Sequence, residues 1–200
     1  MLIALVVLVG YLLGSVPFAY LLARRRGIDL RTAGSGNIGA ANVLRTAGVT
    51  TAVVVSLLDA LKGSIAVLGA QAITSGSVAP VAAGLASILG HVYPVWLRFH
   101  GGKGVATSAG VFAVLAPAAL GIAGLAFVIV VVITRFVSAG SVVGALVLVV
   151  ATALMTHAPG PVVAGAVGAA TIVLAKHHAN LRRLAEGTER RIGLRPFGGR

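Results

Sequence analysis

The chain has 200 residues, of which 58% are hydrophobic and 10% charged, and its mean hydropathy of +1.04 excludes an ordinary soluble domain. Its formal net charge of +12 is divided among loops between long apolar runs, which favours a membrane protein with basic loops and no nucleic-acid partner. The absence of cysteine excludes disulfides, zinc–thiolate sites and cysteine nucleophiles.

Apolar runs long enough to cross a bilayer recur along the sequence and predict a single all-α integral-membrane domain over residues 1–200. The runs lie at 2–22, 50–73, 78–97, 105–134 and 142–175. The last two runs each have room for an outward and a return arm, with turns near Pro117 and at Pro159-Gly160-Pro161. Each arm has only about 15 residues, against the ~20 of a perpendicular helix, so these runs are either short double crossings or re-entrant hairpins.

Lysine and arginine occupy alternate connections between the runs. They are frequent in the first and third connections and in the tail, and Arg135 separates the last two runs, whereas the connections 73–80 and 156–161 contain neither. Because positively charged loops remain in the cytoplasm, this alternation predicts a polytopic bundle of seven transmembrane helices, with the N-terminus outside and the C-terminus cytoplasmic. Five crossings are the alternative. Three polar, glycine-rich stretches then share the cytoplasmic face: 33–48, 90–107 and 176–193.

The first stretch, AGSGNIGAANVLRTAG (33–48), contains the G-x-G-x-x-G spacing of a dinucleotide-binding loop, followed at a suitable distance by Asp59. Such a loop needs a preceding strand and a crossover helix, whereas here a membrane segment precedes it and Asp59 lies inside an apolar run. The context therefore excludes a dinucleotide site. Polar side chains of this stretch suit another phosphate-bearing anion instead: Ser35, Asn37, Asn42 and Arg45.

The second stretch, GHVYPVWLRFHGGKGVAT (90–107), contains the glycine-rich run 101–104. Glycines let backbone N–H groups approach an oxyanion closely, Lys103 adds a positive charge, and a helix that begins near Val105 directs its positive end to the same place. This is not a Walker A loop, because Gly104 stands where a serine or threonine is needed. The alternative is a flexible interfacial turn with a snorkelling lysine.

The third stretch, KHHANLRRLAEGTERRIG (176–193), predicts an interfacial helix with His177 and Asn180 on one face, where a span leaves the membrane. Most of its arginines, and those of the tail, are expected to be solvated charges. Ser138 and Ser141, beside Arg135, offer hydroxyl groups at the same face. Within the second apolar run Asp59 and Lys62, three residues apart, predict an ion pair inside the bundle.

These stretches match a known family. GSGNIGAANVLRTAG, GHVYPVWLRFHGGKGVAT and KHHANLRRLAEG resemble, in order and spacing, the three motifs of the bacterial PlsY family of integral-membrane acyl-phosphate:glycerol-3-phosphate acyltransferases. The segments GYLLGSVPFAYLL and LLDALKG also look like that family, so the resemblance covers essentially the whole chain. The departures are Ala41 in place of threonine, His100 in place of lysine and Lys176 in place of arginine.

The resemblance implies transfer of a fatty acyl group from acyl-phosphate to the 1-hydroxyl of glycerol-3-phosphate, giving lysophosphatidic acid and phosphate for phospholipid biosynthesis. It implies a multi-pass protein of the bacterial inner membrane, with its active site on the cytoplasmic face of the lipid bilayer. No cofactor and no metal are expected, and another enzyme would supply the acyl-phosphate.

The site residues implied by the resemblance come from the three stretches and from the segment near Arg135. Catalytic roles fall to Ser35, Lys103, His177 and Asn180. Substrate contacts are expected from Gly36, Asn37, Gly39, Asn42, Arg45, His91, Gly101, Gly102, Gly104, Thr107, Ser138 and Ser141. Because acyl-phosphate is already activated, direct attack without an acyl-enzyme is favoured, and the general base is either His177 or the phosphate of glycerol-3-phosphate itself.

Two other functions fit parts of the pattern. A small membrane transporter of organic phosphates would explain the glycines, the arginines and the spans, but a permeation path needs more polar residues at mid-depth than Asp59 and Lys62. An acyltransferase that uses acyl-CoA or acyl-carrier protein is disfavoured, since no nucleotide-recognising pattern is found in the sequence.

Overall fold

A computed structural model describes residues 1–155 and 160–193, and this part of the chain is helical without a β-strand, as the all-α prediction requires. The helices in chain order are α1 (Leu2–Ser15), α2 (Phe18–Arg24), α3 (Ala40–Ala47), α4 (Val49–Ile73), α5 (Val78–Val92), a 3-10 helix (Val95–Leu97), α6 (Val105–Leu115), α7 (Pro117–Thr134), α8 (Val137–Met155), α9 (Gly160–Lys176) and α10 (His178–Ala185).

Five helical segments of the described chain are long and apolar enough to cross a membrane, and a sixth is obtained when the bent pair α9 and α10 counts as one span. The remaining apolar helix, α6, has 11 residues and extends about 16 Å, short of a bilayer. The predicted break at Pro117 is present, because α6 ends at Leu115 and Pro117 begins α7. The other predicted turn falls between Met155 and Gly160, and its residues 156–159 lie outside the described chain.

Large apolar side chains cover the outside of the bundle. Leu57 on α4, Leu125 on α7 and Ile133 near the end of α7 are 65%, 61% and 76% exposed. A soluble protein would hide such side chains, whereas a bilayer solvates them. The outer surface is therefore suited to lipid.

Close packing of small residues sets the position of α6 against α4. A Cβ on Gly110 would overlap the carbonyl oxygen of Ala60, so the two backbones meet there without a side chain between them. Across the same contact the Ser64 hydroxyl donates a hydrogen bond to the Gly110 carbonyl at 2.8 Å. Small residues and interhelical hydrogen bonds of this kind are the usual means of packing helices in membranes. The contact fixes the depth at which the loop before α6 lies.

The predicted ion pair is found in the interior of α4. Lys62 Nζ lies 2.8 Å from Asp59 Oδ1, and the side chains are 4% and 2% exposed. Pro17 separates α1 from α2, and Lys62 Nζ donates to the carbonyl of Val16 at this break, at 3.0 Å. On the other side His91 Nδ1 lies 3.0 Å from Lys62 Nζ. The pair thus joins α4 to the α1–α2 break and to α5.

The orientation predicted from the loop charges is testable at exposed turns. A reporter inserted between Ser75 and Gly76, in the connection without lysine or arginine, is expected to be external. Reporters inserted after Gly27, beside three arginines, and fused after Arg200 are expected to be cytoplasmic. Gly27 and Gly76 both lie in exposed turns at positive φ, which makes the two insertions well matched. If both insertions report the same compartment, the predicted topology is wrong.

Candidate active site

The three motif stretches surround one cavity of about 670 Å³. Its lining changes from polar to apolar along each helix that leaves the motif end. On α8 the lining residues run from Ser138 and Ser141 to Gly144, Ala145 and Leu148. On α9, followed in the opposite direction, they run from Lys176 to Val173, Ala170 and Ala169. The cavity therefore combines a polar mouth with an apolar channel between α6, α7, α8 and α9.

The first loop is shaped around the side chain of Asn42, which is 1% exposed. Its Oδ1 accepts a hydrogen bond from the Ser35 N–H at 2.8 Å. Its Nδ2 lies within 3.0 to 3.3 Å of the carbonyls of Asn37, Ala33 and Leu30. Asn42 was expected to bind substrate, but its amide is fully used inside the loop, so it acts by holding Ser35 and Asn37 at the cavity wall.

The glycine loop folds back onto the last turn of α5. The N–H groups of Gly101 and Gly102 donate to the carbonyls of Val92 and His91, both at 3.1 Å. A Cβ on Gly102 would overlap the His91 ring, which explains why glycine is needed here. Gly104, at φ +84°, then begins α6 as a left-handed N-cap. As a result, Lys103 and the first turn of α6 face the cavity while Gly101 and Gly102 support them from behind.

Lys103 is the first member of a hydrogen-bond network at the mouth. Its Nζ donates to Asn180 Oδ1 at 2.5 Å, and Asn180 Nδ2 donates to Glu189 Oε1 at 2.6 Å. The Ser138 hydroxyl donates to the same carboxylate oxygen at 2.8 Å, and Arg183 Nε donates to Glu189 Oε2 at 2.7 Å. Glu189 therefore links the second stretch, the third stretch and the start of α8.

Positive charge exceeds negative charge at the mouth. Five cations line it: Arg45, Lys103, Lys176, Arg183 and Arg190. Within the described residues Glu189 is the carboxylate that opposes them, since Asp59, deeper in the wall, is paired with Lys62. Burial would raise the pKa of Glu189, but its hydrogen bonds with Asn180, Ser138 and Arg183 outweigh this and hold the pKa below its ordinary value. The carboxylate stays ionised, and the mouth keeps an excess of cations that suits anionic ligands.

Burial lowers the pKa of Lys103 to about 8, and the charges of Arg183, Arg45 and Lys176 act in the same direction, while Glu189 opposes them. Lys103 is thus mostly charged at neutral pH but loses its proton easily when no anion is bound. A phosphate beside it would stabilise the charged form and be stabilised in return.

His177 lies at the bend between α9 and α10 and is 2% exposed. Its Nδ1 lies 2.7 Å from the carbonyl oxygen of Val173, which can only accept, so Nδ1 carries the hydrogen and Nε2 has the free lone pair. Burial, together with the charge of Lys103, lowers the pKa of His177 to about 4. The ring is therefore neutral at physiological pH and offers an acceptor.

Neither serine of α8 has an uncommitted hydroxyl hydrogen. Ser138 donates to Glu189, and Ser141 donates to the carbonyl of Val137 at 2.8 Å. Both line the cavity and can accept hydrogen bonds through their oxygen lone pairs. In the described chain no group of three or more histidine and acidic side chains converges as a metal site would require.

Most of the expected site residues line the cavity, but four do not: Gly36, Gly101, Gly102 and Thr107. Thr107 is fully buried against α4, and its neighbour Ser108 lines the cavity instead. The Ser108 hydroxyl is buried and has no hydrogen-bond partner within residues 1–155 and 160–193. Sequence reasoning missed further lining residues: Ser56, Ser108, Lys176, Arg183, Glu189 and Arg190. Only Arg183 carried a usable signal, since it follows Asn180 by three positions on the same helix.

Lys103→Ala is expected to lower enzymatic activity by about two to three orders of magnitude, because it removes a charge that would stabilise an anionic substrate at the mouth. In the unaltered protein kcat/KM for that substrate should be highest below pH 8 and fall as the pH rises through about 8, where free Lys103 loses its proton. Lys103→Arg stays charged, so it should recover part of the activity and lose this alkaline decline. Initial rates between pH 6.5 and 9.5 test this, and an identical decline in Lys103→Arg would contradict it.

The chain is similar to known proteins over most of its length. A family model described as glycerol-3-phosphate acyltransferase matches residues 4–187. A glycerol-3-phosphate acyltransferase of Myxococcus xanthus is 47% identical over 188 residues, which cover 93% of this chain and 97% of the relative. One from Rubrobacter xylanophilus is 45% identical over 200 residues and covers both chains completely.

Two solved structures have the same fold. The glycerol 3-phosphate form of PlsY, an integral membrane glycerol 3-phosphate acyltransferase, superposes with a TM-score of 0.90 at 35% identity and covers 96% of each chain. The lysophosphatidic acid form superposes with a TM-score of 0.88 at 34% identity and covers 96% of this chain and 95% of that one. The chain therefore belongs to the glycerol-3-phosphate acyltransferase (PlsY) family of integral membrane proteins.

Proposed function

We propose that this protein transfers a fatty acyl group from acyl-phosphate to the 1-hydroxyl of glycerol-3-phosphate, with lysophosphatidic acid and inorganic phosphate as products. The observation that carries the proposal is the single cavity in which a cation-rich mouth continues into an apolar channel. The mouth has five cations and one carboxylate, Glu189, because Asp59 is already paired with Lys62, so four positive charges remain in excess. Two phosphate groups, each with about −1.5 to −2 charge at neutral pH, would nearly balance this excess.

The apolar channel supports an acyl-bearing donor. Its walls are small side chains, including Ala123, Gly124, Ala145 and Ala170, which leave room for a hydrocarbon chain between α7, α8 and α9. An acyl chain placed there would bring the phosphate end to the glycine loop and Lys103. Ser35 and Asn37 lie on the same wall and would complete the contacts of the acyl-phosphate.

Glycerol-3-phosphate would bind on the side of Arg45, Ser141 and His177, all of which line the cavity. Its 1-hydroxyl oxygen would attack the acyl carbonyl carbon, the carbon–oxygen bond to phosphate would break, and phosphate would leave. The hydroxyl proton needs an acceptor. With a pKa of about 4 His177 is a weak base, which favours the phosphate of glycerol-3-phosphate itself as the acceptor, since free phosphate monoesters have a second pKa of about 6. His177 Nε2 then serves to orient the hydroxyl.

We also propose that the protein crosses the bacterial inner membrane seven times, with the N-terminus outside and the cavity mouth on the cytoplasmic face. The five long spans, the bent pair and the short α6 together supply seven apolar segments in the described chain. A cytoplasmic mouth would face the soluble glycerol-3-phosphate and an enzyme that supplies acyl-phosphate.

Transport of organic phosphates is less well supported, because a permeation path needs several polar residues within the membrane. In the described helices α4 to α9, the charged residues away from the helix ends are Asp59 and Lys62, and they pair with each other.

Purified protein supplied with glycerol-3-phosphate is expected to form lysophosphatidic acid rapidly when acyl-phosphate is the donor. With acyl-CoA or acyl-carrier protein the rate should be at least about a hundredfold lower, because these donors lack the phosphate leaving group that the mouth would hold. Product formation from each donor at equal concentration is the measurement. Comparable rates with acyl-CoA would overturn the proposed donor. Uptake of labelled glycerol-3-phosphate into liposomes without product would favour transport.

Direct transfer predicts that no residue ever carries the acyl group. Incubation with acyl-phosphate alone should give no acyl-protein and no burst of phosphate, and steady-state kinetics with both substrates should be sequential rather than ping-pong. Ser35→Ala should slow turnover through lost phosphate contacts and keep the sequential pattern. A mass increase of one acyl chain on Ser35, Ser138, Ser141 or His177, formed and discharged at the rate of turnover, would contradict the mechanism.

A further inference from the structure

The segment Gly187–Gly193, here called the strap, turns back from α10 across the cavity mouth. At its start the N–H groups of Thr188 and Glu189 donate to the carbonyl of Arg183, at 2.8 and 3.1 Å. At its end the Ile192 N–H donates to the carbonyl of Arg135, between α7 and α8, at 2.8 Å. The strap is therefore attached at both ends, and the residues between these attachments have a defined position.

Arg190 lies between the two attachments, and its residue lines the cavity mouth. Its carbonyl oxygen is 3.4 Å from Nη2 of Arg45. The strap and the first stretch are therefore in contact through these two residues. The sequence alone indicates a solvated charge, and the residue is indeed exposed, but it also lines the cavity mouth.

The other three arginines of the third stretch have partners, whereas the guanidinium of Arg190 has no ion pair or hydrogen bond within the described chain. Arg183 binds Glu189, Arg182 lies 3.7 Å from Glu186, and Arg191 stacks over the Phe136 ring at 5.2 Å. The carboxylate next to Arg190 in sequence, Glu189, is already engaged by Asn180, Ser138 and Arg183. It is thus not available to neutralise Arg190.

Arg45 and Arg190 carry like charges that repel each other, and Glu189 offsets this repulsion only in part. Burial lowers the pKa of Arg45, the charge of Arg190 lowers it further, and Glu189 raises it. An anion bound between the two guanidinium groups would turn this repulsion into attraction to both, and arginine is well suited to bind phosphate oxygens in pairs.

We propose that Arg190 is a substrate-binding residue that, together with Arg45, holds the phosphate of glycerol-3-phosphate from the strap side of the mouth. The assignment rests on the proposed function, in which Arg45 belongs to the glycerol-3-phosphate half of the site. The strap then has a role in specificity, because it adds a phosphate ligand on the side where the small, soluble substrate enters.

Three variants test the role of Arg190. In Arg190→Ala the KM for glycerol-3-phosphate should rise roughly tenfold, which corresponds to the loss of one charge-assisted hydrogen bond at a solvated rim. The kcat and the KM for acyl-phosphate should stay within about twofold, since the transferred group is held elsewhere. Arg190→Lys should recover part of the affinity. Arg182→Ala is the matched control, because it removes the same charge from the neighbouring helix at a residue that does not line the cavity.

A binding measurement without acyl donor separates the role of Arg190 from the proposed function of the protein. Glycerol-3-phosphate should raise the thermal unfolding temperature of the unaltered protein and of Arg182→Ala at lower ligand concentrations than it does for Arg190→Ala. If Arg190→Ala behaves like Arg182→Ala in both assays, or if the KM values of both substrates rise equally, the role of Arg190 is wrong while the proposed function stands. If the unaltered protein neither binds glycerol-3-phosphate nor forms lysophosphatidic acid, the proposed function fails and the role of Arg190 fails with it.

Discussion

The position of the glycine loop depends on the contacts of one buried group, the ammonium of Lys62 on α4. It donates to the Val16 carbonyl at 3.0 Å, lies 3.0 Å from His91 Nδ1 and forms an ion pair with Asp59 Oδ1 at 2.8 Å. Each partner comes from a different part of the chain, and the Val16 carbonyl is near because Pro17 interrupts the first span. A buried ammonium needs all of this compensation, and loss of one charged partner typically costs about 3 to 5 kcal/mol.

His91 connects this buried cluster to the glycine loop of the candidate active site. Its ring contacts Lys62 and lies 3.4 Å from Asp59, while its backbone carbonyl accepts the N–H of Gly102. Because Lys62 donates to Nδ1, the ring hydrogen lies on Nε2, on the side that packs against Gly102. The glycine loop is thus supported by a charged cluster in the helix bundle rather than by the flexible surface. This gives His91 a supporting role behind the loop in addition to its place in the cavity wall.

The mouth shows the opposite arrangement, with charges left uncompensated. Arg45, Lys103, Lys176 and Arg190 share a small volume, and the carboxylate of Glu189 is used by its own hydrogen bonds. Burial is the main cause of the lowered pKa of Lys103, and the charges of Arg183, Arg45 and Lys176 lower it further. Such an excess opposes folding, and it is the arrangement expected where bound anions complete the charge balance. The affinity for phosphate would come partly from relief of repulsion that the protein already contains.

The sequence predicted the features that depend on spacing along the chain. The loop charges predicted that the three motif stretches lie at one face, Pro117 predicted the break between α6 and α7, and the three-residue interval predicted the pair of Asp59 and Lys62. The last two features are local, so propensity and periodicity are sufficient to find them.

Features that depend on how elements are rotated or packed were not predictable in this way. Whether Thr107 or Ser108 lines the cavity depends on how α6 is rotated against α4, and the sequence of α6 by itself does not show this rotation. Asn42 looked like a ligand donor because the sequence does not show that four groups of its own loop surround its amide. Glu189 follows a glycine turn outside any helical period, so its position between Asn180 and Arg183 arises only in three dimensions.

The groups around the cavity also favour a reaction in which the two substrates react directly with each other, without a covalent enzyme intermediate. The hydroxyl hydrogens of Ser138 and Ser141 are committed, and His177 is a weak base with its free nitrogen turned away from Val173. Neither serine is activated as a nucleophile, because Ser141 donates to a backbone carbonyl and the Glu189 carboxylate beside Ser138 is a weak base with a lowered pKa. What the site would provide is position, because an acyl chain held in the channel and a phosphate held by cations would leave little freedom to the reacting carbonyl. Holding two reactants in this way can account for a large part of a rate enhancement without any covalent intermediate.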